Sequence, residues 1–83
     1  VLATTLLQNV PGELLEIQVP SGSKWAGKSL REVRLPRRAV VAALARGEES
    51  GIATGDTVLQ ANDQLIVFAP LGASARLESV FRK

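Results

Sequence analysis

Apolar and polar residues alternate most cleanly at Glu13–Val19. There Leu15, Ile17 and Val19 are separated by Glu16 and Gln18, the period-two pattern of a strand with one buried face. Pro20-Ser21-Gly22-Ser23 ends that strand as a turn. Gln64–Ala69 (QLIVFA) is a second strand, entered through the tight turn Ala61-Asn62-Asp63 and left at Pro70-Leu71-Gly72. Ala39–Ala45 is an unbroken apolar run between Arg38 and Arg46-Gly47, expected to be a central strand buried on both faces. Gly47–Gly51 is a turn leading into a short strand at Ile52-Ala53. Thr54-Gly55-Asp56 turns again, and Thr57-Val58-Leu59 is a brief strand or bridge.

Helical spacing predicts two helices. In Ala26–Val33, Leu30 and Val33 share an inward face near Trp25, and Pro36 prevents continuation. In Ala73–Phe81, Ala73, Leu77, Val80 and Phe81 form one stripe, with Arg82 and Lys83 at the end where the helix dipole favours positive charge. Residues 1–9 read as helical or extended, with Leu2, Leu6 and Leu7 weakly helix-spaced, and Val10-Pro11-Gly12 breaks the chain. The expected class is therefore α+β: a small two-layer domain with a mostly antiparallel sheet, a short helix after the first strand and a C-terminal helix. The division expected is a lead-in over 1–12 and one domain over 13–83, with no internal repeat.

Composition narrows the chemistry. With 83 residues, 46% of them hydrophobic and 22% charged, the chain suits a single globular domain with a thin core, for which pairing adds stability. Trp25, Phe68 and Phe81 are its only aromatic residues, so the core is aliphatic. The sequence contains no cysteine and no histidine. That removes thiolate nucleophiles, zinc–sulfur sites and the usual general base near neutral pH, and argues against an enzyme. No metal site or cofactor is expected. The longest apolar run is far short of a membrane span. The chain lacks methionine and begins Val1-Leu2-Ala3, so it reads as a piece of a longer protein.

The net charge of +2 hides an asymmetry. Lys24, Lys28, Arg31, Arg34, Arg37 and Arg38 lie within 24–38 against Glu32 alone. This segment reads as a solvated face, as a contact for an anionic ligand or partner, or as a polybasic contact with anionic lipid headgroups. No recognition helix or stacking aromatics accompany it, so no nucleic acid is expected.

Gly22-Ser23-Lys24-Trp25-Ala26-Gly27-Lys28-Ser29 matches the spacing of a phosphate-binding loop. Its middle is not glycine-rich, and bulky Trp25 stands where amides must wrap phosphate, so a turn shaped by glycines is the preferred reading. Asp56 and Asp63, both in turns, read as side chains that bond local backbone amides rather than as an acid/base pair.

Four stretches then occur in order: Val19-Pro20-Ser21-Gly22-Ser23, Gly27-Lys28-Ser29-Leu30, Gly55-Asp56-Thr57-Val58-Leu59 and Asn62-Asp63-Gln64-Leu65-Ile66-Val67-Phe68. Together they resemble the C-terminal RCK domain, also called the TrkA-C domain, across Leu14 to Phe81. The resemblance implies a homodimerising regulatory module on the cytoplasmic side of a parent membrane channel or transporter for potassium or another cation. It also implies a small anionic ligand, cyclic di-AMP among the candidates, in a cleft between paired subunits. By the same resemblance the cleft residues are Val40, Val41, Ala42, Arg46 and Ile52. The chain departs from the ligand-binding relatives at Gly51-Ile52-Ala53-Thr54, where they carry a polar residue and a proline. Arg46 also reads as a surface charge at a hairpin. No GxGxxG occurs, so NAD or ATP binding is not implied. The alternative is a ligand-free assembly module within a dicarboxylate or amino-acid exchanger.

Overall fold

The computed structural model describes residues 3–6, 9 and 11–82. Leu2, Leu7, Val10, Lys83 and the side chain of Arg82, all used in the sequence reading, lie outside what it describes. Of the lead-in, Ala3–Leu6 is extended and forms strand β1, not a helix. The strands that follow are β2 (Glu13–Gln18), β3 (Val40–Arg46), β4 (Glu49–Ile52) and β5 (Gln64–Ala69). One helix, α1 (Ser74–Arg82), completes the order. The sheet runs β1-β2-β5-β3-β4 with every neighbouring pair antiparallel, so the fold is a small α+β domain.

Alternation places one face of the sheet inward. Leu15 and Ile17 of β2, Leu65, Val67 and Ala69 of β5, and Val41 of β3 join Ala73, Leu77 and Phe81 of the helical segment in one buried cluster. Leu30, Val33 and Leu59 from the loops close it. The core is nearly all aliphatic, with Phe81 its one fully buried aromatic ring. The opposite face carries Leu14, Val40 and Phe68, which meet in register across β2, β5 and β3. Gly12 sits under Phe68; a Cβ there would lie 2.6 Å from the ring's Cζ.

Three expectations are corrected. The helix expected over Ala26–Val33 is reduced to one 3-10 turn, Leu30–Glu32. A helix of that length is marginal in water, and its amides are drawn elsewhere. Gly27 N–H donates to Leu59 O at 2.7 Å, Leu30 N–H to Thr57 O at 2.9 Å and Arg31 N–H to Gly55 O at 2.9 Å. Ser29 and Val58 form an antiparallel bridge in the same place. The strand expected at Ile52-Ala53 starts earlier, at Glu49.

The third correction concerns Ala39–Ala45. It forms β3, but the central strand is β5, and β3 has only the short β4 beyond it. It is not buried on both faces: Val40 is 56% exposed while Val41 is in the core. The register also shifts between Val41 and Ala43, leaving Ala42 as a bulge. A bulge inserts one residue and reverses which side chains face the core beyond it. Val41 points inward before the bulge, and Leu44 packs against the core after it. Arg46, two residues on, shares Leu44's side of the strand.

Candidate ligand-binding site

The bulge decides what Arg46 can reach. Its guanidinium turns toward the 60–63 turn and grips Asp63 from two atoms, Nε to Oδ1 at 2.8 Å and Nη2 to Oδ2 at 2.8 Å. Nη2 also donates to Val58 O at 3.1 Å. Asp63 is 1% exposed, and its Oδ2 accepts a third bond from Gln60 N–H at 2.7 Å. Its backbone is equally committed, since its carbonyl accepts Val19 N–H at 2.8 Å. Asp63 therefore ties together the end of β2, the turn before β5 and the end of β3.

The paired charges shift each other. Arg46's hydrogen bonds hold the Asp63 carboxyl below its ordinary value, with Gln60 N–H adding to the effect, while burial opposes it. The same bond raises Arg46 above its ordinary value. Asp63 meets the expectation of a backbone-bonding turn residue through Gln60. Its pairing with Arg46 was not among the expectations from sequence. The only signal was an arginine closing an apolar run, and nothing in spacing links it to a carboxylate 17 positions away. Asp56 departs from expectation: its carboxylate meets Arg31 Nη2 at 2.8 Å, with both side chains largely exposed.

The residues taken from the resemblance lie on β3 and β4 but do not line one hollow within a single chain. Val40 and Val41 border a cleft of about 220 Å³ together with Arg31, Leu35 and Gly55. Arg46 lines a separate hollow of about 160 Å³ with Leu44, Glu49, Ser50 and Gly51. Ala42 is exposed, and its carbonyl accepts Ala53 N–H at 3.1 Å. Ile52, opposite Ala43 on the edge strand, is 84% exposed.

The loop with phosphate-loop spacing cannot cradle phosphate with its backbone. Amides from Trp25 to Leu30 are already engaged, by Ser23 Oγ, Ser23 O, Leu59 O, Trp25 O, Glu32 Oε2 and Thr57 O in turn. Glu32 accepts from both the N–H and the Oγ–H of Ser29, and the backbone bond chiefly holds its carboxyl below the ordinary value. Among the described residues, no three potential metal ligands of the His, Cys, Asp and Glu types cluster together. No described helix is long and apolar enough to cross a membrane. Glu13 is 6% exposed, and its Oε1 is buried with no hydrogen-bond partner.

This chain is similar in sequence and in fold to known proteins. A Trk system potassium uptake protein TrkA homolog of Archaeoglobus fulgidus is 33% identical over 76 residues, which cover 92% of this chain and 17% of that protein. The corresponding homolog of Pyrococcus abyssi is 31% identical over 94% of this chain and 35% of its own length. This chain thus spans a minor part of the relatives it matches. A solved structure described as "Structure of RCK domain with cda" superposes with a TM-score of 0.72 at 28% identity, over 82% of this chain and 96% of the other. The TrkA-C domain model matches residues 14–82, from the second residue of β2 to the last of α1. The family model covers most of the chain and the relatives agree with it in sequence, so this chain belongs to the TrkA-C domain family.

Proposed function

We propose that this chain is a regulatory domain of a potassium uptake system, that it pairs with a second copy, and that the pair holds a small anionic ligand beside β3 and β4. The relatives are named as potassium uptake proteins, which supports the first part. The observation that carries the pairing is the apolar surface left open on β3–β4, with Val40 56% and Ile52 84% exposed on a domain with few core residues to spare. The edge of β4 has no further strand beside it among the described residues, and such an edge is a ready partner for another strand. The structural neighbour described as an RCK domain with cda supports a ligand on this fold. A cyclic dinucleotide is the ligand proposed, in a cleft formed by Val40, Val41, Ala42, Arg46 and Ile52 of the pair. The domain would then work on the cytoplasmic side of the membrane transporter, with residues 1–12 as its lead-in.

A specific observation favours a ligand-free assembly module as the second reading. Arg46, the one charged residue of the proposed cleft, is already committed to Asp63 and Val58, leaving Nη1 as the atom outside those bonds. Arg46→Ala is therefore a poor test, because it strips a buried carboxylate of its partner whether or not a ligand exists. Ile52→Ser and Val40→Ser are better probes. Sedimentation velocity over a concentration series should give a dimer weakened by either change. A monomer throughout would remove the pairing. Cyclic di-AMP at 100 times its dissociation constant should add about 2.7 kcal/mol of stability. An unchanged melting temperature across cyclic dinucleotides leaves the assembly module as the surviving reading.

A further inference from the structure

A second basic site stands apart from β3 and β4. Lys24, Arg34 and Arg76 come from three segments, the turn after β2, the loop before β3 and helix α1, and they line one cleft of about 430 Å³ with Trp25, Ser79 and Val80. That volume falls within the range of small-molecule sites, about 300–1,000 Å³. No carboxylate lines it. None of the three cations is ion-paired among the described residues, whereas Arg31 and Arg46 each have a carboxylate. Three cations lining one cleft without a carboxylate give it a positive potential, which favours an anion there.

The floor of the cleft is fixed. The Trp25 indole N–H donates to Val80 O at 2.9 Å, locking the ring to α1. The ring in turn holds the Lys24 ammonium 4.9 Å from its centroid, in cation–π range. Lys24 covers a ring face, so the chemistry on offer is charge, not base stacking. Ser79 adds a hydroxyl donor. The C-terminal half of α1 also borders the cleft, and its partial negative charge opposes an anion. That charge is about half an elementary unit, against three full positive charges.

We propose that this cleft binds a phosphate-bearing anion through Lys24, Arg34, Arg76 and Ser79. Two arginines and a lysine suit the several oxygens of a diphosphate or a phosphate ester. The loop of phosphate-loop spacing contributes its charge through the Lys24 side chain, since its amides from Trp25 onward are engaged.

Trp25 is the only tryptophan of the chain, so its fluorescence reports on the site directly. The chain is titrated in low salt with inorganic pyrophosphate, and separately with phosphatidylcholine vesicles with and without phosphatidylglycerol. The expected result is a saturable change with pyrophosphate, weakened about tenfold in Arg34→Ala/Arg76→Ala and unaffected in Lys28→Ala. A change seen only with phosphatidylglycerol vesicles, and lost in the same double variant, assigns the same chemistry to a lipid headgroup. All the altered side chains are solvent-exposed, so the variants should melt with the parent. Two results overturn the proposal. One is no saturable change with either probe at about 10 mM phosphate, where even a millimolar site is filled. The other is binding that the double variant retains, or that Lys28→Ala weakens equally.

Discussion

Two ion pairs of equal length make opposite predictions. Arg46–Asp63 and Arg31–Asp56 both close at 2.8 Å, but the Asp63 side chain is 1% exposed and the Asp56 side chain 85%. Asp63→Ala removes an acceptor of three bonds, two from Arg46 and one from Gln60 N–H. It leaves Gln60 N–H short of its partner and the guanidinium to rehydrate through its exposed part. Allowing for that rehydration, the loss should be about 2–4 kcal/mol. A domain of 83 residues has about 4–12 kcal/mol in total. The variant should therefore melt roughly 10–25 °C lower in circular dichroism at pH 7. Asp56→Ala should cost about 0.5 kcal/mol or less. Acid titration supplies an independent check. Asp63's folded pKa lies below its unfolded value, so its contribution is complete above about pH 4 and is lost as pH falls through the folded value. The parent should lose stability in that acid range more steeply than Asp63→Ala. Equal melting temperatures for the two alanine variants would refute the argument that burial, not distance, decides what an ion pair contributes here.

Other substitutions test the packing. Glu13→Met replaces a buried carboxylate whose Oε1 has no partner, and should raise stability by about 1 kcal/mol in urea denaturation. Gly12→Ala puts a Cβ 2.6 Å from Phe68 Cζ and 3.2 Å from Ala69 O, and should cost about 1–3 kcal/mol by the same assay. Leu77→Ala opens the contact between α1 and the sheet, where Leu77 is fully buried, and should cost about 2–5 kcal/mol. Because the Trp25 indole is bonded to α1 at Val80, its fluorescence should follow the unfolding of that helix.

Local pattern was most informative where one face of an element is buried and its hydrogen bonds are regular. Gln64–Ala69 has the predicted limits in the structure, and the first strand ends within one residue of its predicted end. The helical stripe of Ala73, Leu77 and Phe81 is the buried one, with Val80 beside it. Ala26–Val33 shows the opposite case. Leu30 and Val33 do face the core, as their spacing requires. That spacing suits a 3-10 turn as well as a helix, and the distant segment 54–59 takes the amides that a helix would have used.

The candidate cleft was legible only as a set of positions. Val40, Val41, Ala42, Arg46 and Ile52 do fall on adjacent strands, but an apolar run such as AVVAALA carries no mark of where its phase breaks. Sequence alone determined the class, the two alternating strands, the terminal helix and the aliphatic core, because side-chain periodicity and turn chemistry are local. Tertiary structure decided that β5 is central, that Ala42 bulges, and that Arg46 consequently faces Asp63. It also decided that Lys24, Arg34 and Arg76 share one cleft. Those outcomes depend on which distant backbone groups pair with one another, and strand pairing is a competition among segments that no single segment records.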